Sequence, residues 1–81
     1  MAQLRIMSAR GDKTVTWDPD QVELGEAEAL AAVREAERIF NEERTRGATA
    51  FKVEAGKPAE RIDYFDKTSD QTVIVPRIAG G

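Results

Sequence analysis

The chain has 81 residues, 41% of them hydrophobic and 33% charged, with a formal net charge of -3, which is typical of one small folded domain. It contains neither cysteine nor histidine, and this excludes disulfides, thiol nucleophiles, imidazole bases and the usual zinc sites. The mild, mixed charge does not favour binding to nucleic acid or to an anionic membrane.

The N-terminal segment is predicted to form a β-hairpin. The first run, over residues 4–8, alternates Leu4, Ile6 and Ser8 with Arg5 and Met7, and the second, over residues 14–17, alternates valine and tryptophan with threonines. This is the period of a strand with one buried face. Gly11 and Asp12 lie between the two runs and favour a tight turn. The Arg-Gly-Asp triplet of residues 10–12 is also found in adhesion motifs, but we interpret it here as turn chemistry. Asp18-Pro19 then predicts a capped turn that leads into a helix.

Residues 26–46 carry the helical period and predict one long amphipathic helix. Its apolar stripe is formed by Ala29, Ala32, Val33, Ala36, Ile39 and Phe40. Acidic residues lie at the start of this segment and arginines at its end, and Gly47 occupies the position expected for a left-handed C-terminal cap. We interpret its charged face as solvated, although such a face can also serve for docking.

Three more strands are predicted after the helix, over residues 50–54, 61–65 and 72–75. The last is a continuous apolar run, which is typical of a central strand, and we expect Val73 and Val75 in the core. The fold class is therefore α+β, with a mixed sheet of four to five strands, one long helix on one face and the order β-β-α-β-β-β. Parallel pairing of the last strand with the first is a conjecture that would place both in the centre of the sheet.

No enzyme active site is predicted. Fifteen carboxylates in 81 residues make chance pairs unavoidable, and a chain of this length rarely supplies the concave pocket that acid-base or metal chemistry needs. We therefore expect no metal and no bound cofactor. No segment has the roughly 20 apolar residues that span a bilayer, and the N-terminus lacks the apolar core of a signal peptide, so a cytoplasmic location is expected.

The C-terminal residues have a joint physical use. Pro76 cannot donate to a sheet ladder and ends the last strand, while Gly80 and Gly81 carry no Cβ and leave the tail thin enough to thread a narrow tunnel. A terminal carboxylate is an anion that can attack an activated phosphate. These features predict a folded domain over residues 1–76 and a flexible tail over residues 77–81, with Gly81 as the reacting residue.

The ending Ile-Val-Pro-Arg-Ile-Ala-Gly-Gly of residues 74–81 resembles the tails of ubiquitin-like β-grasp proteins, especially the sulfur carriers of molybdopterin and thiamine synthesis and the small archaeal modifiers. The order of strands and helix is similar to that of the β-grasp fold. Arg77 departs from the second proline that is frequent in the molybdopterin carriers, and the helix is longer than is usual in the family.

The resemblance implies a carrier or modifier, not an enzyme. An activating enzyme would use ATP and magnesium to adenylate Gly81. The activated acyl group would then be converted to a thiocarboxylate for sulfur transfer or to an isopeptide with a lysine. Gly80, which has no side chain, would leave room for the tail in the partner's tunnel. Arg77, Ile78 and Ala79 would contact the partner. Implied partners are the activating enzyme, a sulfur-accepting synthase, conjugated target proteins and a deconjugating metalloprotease, with the protein itself a monomer. The alternative is a β-grasp module that binds proteins without covalent chemistry at its tail.

Overall fold

A computed structural model of the chain describes residues 1–7 and 12–77. Its elements are strands β1 (Ala2–Ile6) and β2 (Lys13–Trp17), a short helix α1 (Pro19–Glu23), a long helix α2 (Ala27–Thr45), and strands β3 (Thr49–Val53), β4 (Glu60–Ile62) and β5 (Gln71–Val75). The predicted α+β class, with a five-stranded mixed sheet and one main helix, is confirmed. The predicted turn residues 10 and 11 and the tail residues 78–81 lie outside the described residues, so the expectations for them stay predictions.

The long helix begins and ends close to where the sequence predicts. The Glu26 carboxylate accepts hydrogen bonds from the backbone N–H groups of Glu28 and Ala29, at 3.0 and 3.1 Å, and so caps the first turn. At the other end Gly47 has a φ of +95°, in the left-handed region that glycine tolerates best. Four residues of the predicted stripe are buried against the sheet, namely Ala29, Ala36, Ile39 and Phe40.

The short helix α1 corrects the predicted element order, which placed only a capped turn at this point. The Asp18 carboxylate accepts from the Asp20 N–H at 2.9 Å, and Pro19 occupies the first helical position. Both residues favour the start of a helix. The turn therefore continues for five residues, and this buries Val22 in the core.

The strand order in the sheet is β2-β1-β5-β3-β4. β1 pairs with β5 in parallel, as conjectured, and every other pairing is antiparallel. β5 is therefore the central strand, and the chain leaves the sheet from its middle at Val75.

Only one face of the sheet is packed against the helices. Leu4, Ala50 and Ile74 on this face are fully buried and share one hydrophobic core with Phe40 of α2. The other face carries the alternate residues of the same strands, and among the described residues no helix covers it. We call it the open sheet face.

The expectation that Val73 and Val75 lie in the core is wrong. Both belong to the open sheet face, where Val73 is half-buried and Val75 is 38% exposed. Ile74 and Thr72 point into the core instead. β5 is central, as expected, but it is covered on one side only, so half of its apolar side chains remain outside.

The predicted strand over residues 61–65 is too long. Strict alternation after the buried Ile62 would place Tyr64 inside, but Tyr64 is 62% exposed. Phe65 turns inward instead, and its ring packs at tilted angles against those of Trp17 and Phe40, with centroids 5.7 and 5.8 Å away. The chain therefore leaves the sheet after Ile62.

Candidate functional site

The predicted site is the tail, of which the structure describes only the first residue. Arg77 is exposed, and it follows Pro76, which is half-buried directly after the end of β5. Ile78, Ala79, Gly80 and Gly81 lie outside the described residues, and their predicted roles stay predictions.

The start of the tail lies beside the C-terminus of α2. A Cβ atom built on Gly47 would lie 3.1 Å from Cδ and 3.7 Å from Cβ of Arg77. The arginine side chain therefore fills the space that a larger residue at position 47 would need. This contact brings a cation to the helix end that carries the negative end of the macrodipole.

The open sheet face lies next to the exit of the tail and carries an apolar patch. Its members are on β3 and β5, where Phe51 is directly opposite Val73 and the flanking pairs bring in Val53 and Val75. All four side chains are half-buried or exposed. We call these four residues the sheet patch. Because Val75 immediately precedes Pro76, the sheet patch extends to the end of the strand that leads into the tail.

The rim of the sheet patch is polar and contains two arginines in the same register row. Arg5 lies opposite Val73 across the β1–β5 pair, and Arg61 lies opposite Phe51 across the β3–β4 pair. Arg5 donates from Nε to the Asp12 carboxylate at 2.8 Å, whereas Arg61 forms no ion pair within the described part of the chain. An apolar centre with a charged rim is the usual anatomy of a protein interaction surface.

Comparison of the chain with protein-family models, with curated proteins and with solved structures gives no match. The assignment of a function therefore depends on the residues themselves. In the described ranges, no three acidic side chains come together in a way that could hold a metal ion, and neither helix is long and apolar enough to cross a membrane.

The carboxylates on the exposed face of α2 have a structural role. Arg38 donates to Glu35 at 2.5 Å and to Glu42 at 2.7 Å, one turn away on either side. The hydrogen bond from Arg38 lowers the pKa of Glu35, so this carboxylate is poorly suited to act as a general acid or base near neutral pH. Exposed pairs of this kind give the helix only weak support.

Sequence reasoning did not find the sheet patch. Val73 and Val75 were assigned to the core instead. The signal that could have separated them is the cross-strand register, because it places Phe51, Val73 and the two arginines in one row. The place of Arg5 in this row depends on the parallel pairing of β1 with β5, which the sequence left as a conjecture, and the rest of the row depends on the antiparallel pairings of β3 with β5 and with β4.

Proposed function

We propose that this chain is a ubiquitin-like β-grasp carrier or modifier that an activating enzyme acylates at Gly81. The observation that supports the proposal most is that the central strand β5, which leads into the tail, ends at Val75 in the sheet patch, and none of the described helices covers this patch. A five-stranded mixed sheet with one main helix is compatible with the β-grasp fold. The proposal therefore combines the resemblance of residues 74–81 with a docking surface next to them.

In this proposal the protein supplies a nucleophile and a surface, and the partner supplies the catalysis. A carboxylate oxygen of Gly81 attacks the α-phosphorus of ATP, and pyrophosphate leaves. A sulfur nucleophile or a partner cysteine thiol then attacks the acyl carbon, and AMP leaves with the bonding electrons. The product is a thiocarboxylate for sulfur transfer, or a thioester that a lysine amine converts to an isopeptide. Magnesium and ATP belong to the partner.

The sheet patch serves as the docking surface in the same proposal. Burying exposed apolar side chains such as Val75 gives binding energy without disturbing the fold, since these residues lie outside the core. Docking beside the exit of the tail holds the glycines near the catalytic groups of the partner, which favours the reaction by proximity.

A second candidate function uses the same surface without covalent chemistry. In that case the chain is an interaction module that binds a protein partner through the sheet patch, and the tail takes no part. The apolar row of Phe51 and Val73 supports this candidate as strongly as it supports the first.

Intact-protein mass spectrometry tests the proposal and separates the two candidates. The purified chain is incubated with ATP and a lysate of its source organism, next to a variant that lacks Gly81. The carrier function predicts an adenylate, a replacement of one oxygen by sulfur, or a lysine adduct, each absent from the shortened variant. If both proteins remain unmodified in every fraction, the carrier function is wrong.

A pair of matched substitutions then tests the sheet patch. Val75→Lys places a charge in the patch, and Thr16→Lys places the same charge at an exposed position on the outer strand β2. Val75→Lys is expected to reduce adduct formation at least about tenfold, and Thr16→Lys to leave it unchanged. A partner that is captured through the patch equally well with or without Gly81, and without any adduct, would instead support the interaction module.

A further inference from the structure

A groove lies on the helix side of the sheet, on the face opposite to the sheet patch. It has a volume of about 660 Å³ and runs between α2 and the loop of residues 63–68, over an apolar floor that includes Val22, Leu30, Val33 and Phe65. A hollow of about 190 Å³ against α1 shares Val22 with it and continues it. We call the two together the helix groove. Its size is in the range of protein binding pockets.

The walls of the helix groove are more acidic than basic. Four carboxylates border it, those of Asp20, Glu23, Glu37 and Asp66, against the two cations Arg34 and Lys67. Asp20, Glu23 and Glu37 are exposed and form no ion pair within the described residues. Their charges are therefore free to attract a cationic ligand.

The loop that forms one wall is held in place. The indole N–H of Trp17 donates to the backbone oxygen of Lys67 at 3.0 Å, and Asp66 accepts from both the hydroxyl and the backbone N–H of Thr68, at 2.6 and 2.9 Å. A groove with fixed walls does not have to be ordered when a ligand binds, which reduces the cost of association.

An exposed aromatic side chain lines the helix groove. Tyr64 borders it together with Glu37 and is 62% exposed. A tyrosine of this kind often anchors a protein partner because it offers a large rigid surface at a small entropic cost. The combination of length, apolar floor and acidic walls fits an extended or helical segment of a protein.

We propose that the helix groove is an interaction site for a segment of another protein that presents a large apolar side chain flanked by lysine or arginine. The apolar side chain packs on Val33 and Phe65, and the cations lie against Glu23 and Glu37. This inference goes beyond the proposed carrier function. The groove and the sheet patch lie on opposite sides of the sheet, so the chain can bind one partner at the sheet patch and a second at the helix groove.

Trp17 provides the readout. It is the only tryptophan in the chain, and it contacts the loop that lines the helix groove. A synthetic amphipathic peptide of leucine and lysine is titrated at physiological salt, followed by tryptophan fluorescence, next to a peptide with glutamate in place of lysine. The lysine peptide is expected to give a saturable change, and the glutamate peptide none.

Two double variants with equal changes in net charge test the location of the site. Glu23→Lys with Glu37→Lys reverses two groove carboxylates at exposed positions, whereas Glu42→Lys with Glu60→Lys reverses two exposed carboxylates elsewhere. The groove variant is expected to bind the lysine peptide at least about tenfold more weakly than the control variant. Tyr64→Ala, also at an exposed position, is expected to weaken binding as well.

Four results would overturn the proposal. They are no saturable change with the lysine peptide, equal binding of the glutamate peptide, equal weakening by both double variants, and a dimer of the chain that the groove variant dissociates. The last result would show that a second copy occupies the groove. Removal of Gly81 is expected to leave peptide binding unchanged. This test therefore gives the same answer whether the proposed carrier function is right or wrong.

Discussion

The side chain of Arg77 occupies the space that a Cβ atom on Gly47 would need. Gly47 is the left-handed residue that ends α2, where its N–H donates to Arg44 and the N–H of Ala48 donates to Glu43, both at 2.9 Å. This hydrogen-bond pattern is the Schellman motif. The end of the main helix therefore contacts the start of the tail, and the absence of a side chain at position 47 leaves room for the side chain of Arg77.

This contact predicts that Gly47→Ala is more costly than a similar change elsewhere. A left-handed alanine costs about 1–2 kcal/mol of stability, and the shift of the Arg77 side chain that the new Cβ requires is expected to add a smaller cost. Urea unfolding at neutral pH measures the total.

Gly25→Ala is the matched control for this prediction. Gly25 ends α1 in the same motif, with a φ of +76°, but no atom lies within 4 Å of a Cβ built there. The excess cost at Gly47 should disappear when Arg77→Ala is combined with Gly47→Ala. Equal costs for the two glycine substitutions would show that the Arg77 contact contributes nothing to stability.

The sequence predicted the helix well and the faces of the sheet poorly, for physical reasons. The limits of α2 are encoded locally, by an acidic cap, a spacing of three and four residues and Gly47. The side of β5 that faces the core is not encoded locally, because Val73, Ile74 and Val75 are all apolar and do not show which side the helix covers. The helix groove was not predictable either, since Val22, Val33 and Phe65 meet only through the tertiary fold.

Thr72 provides a test of core polarity. It lies in the central strand with no exposed surface, and its hydroxyl has no hydrogen-bond partner within the described part of the chain. Burial of an unpaired hydroxyl is unfavourable. Thr72→Val keeps the shape and removes the polar atom, so it is expected to stabilise the protein by about 1 kcal/mol, as measured by thermal unfolding.

The control for this prediction is Thr16→Val, which makes the same chemical change at an exposed position on the open sheet face. Its effect on the free energy of unfolding is expected to be smaller than about 0.5 kcal/mol. A loss of stability in Thr72→Val would mean that the hydroxyl is satisfied in solution, for example by a buried water molecule.

The hydrogen bonds that the Asp66 carboxylate accepts predict that the stability of the fold depends on pH. Hydrogen bonds from the hydroxyl and the N–H of Thr68 lower the pKa of Asp66. Since the folded-state pKa lies below the unfolded one, which is about 3.9, this carboxylate stabilises the fold above that pH. The contribution is lost as the pH falls through the folded-state pKa.

Asp66→Asn should therefore destabilise the protein by about 1 kcal/mol at pH 7, and the difference from wild type should shrink as the solution is acidified. Urea unfolding at several pH values measures it, with Asp70→Asn as a control at an exposed neighbouring carboxylate. A difference that stays constant with pH would contradict the role of the charged form.

The inward turn of Phe65 predicts that the loop of residues 63–68 is tied to the core by its ring. Phe65→Ala removes the contacts with Trp17 and Phe40. Because the side chain is only half-buried, the expected loss in the free energy of unfolding is about 2–3 kcal/mol, below the range for a fully buried phenylalanine. Tyr64→Ala, one residue earlier and mostly exposed, should cost less than about 1 kcal/mol. Unfolding followed by Trp17 fluorescence reports both effects, because the same indole packs on Phe65 and donates to Lys67. A loss in Tyr64→Ala as large as that in Phe65→Ala would contradict the placement of Phe65 against the core and of Tyr64 outside it.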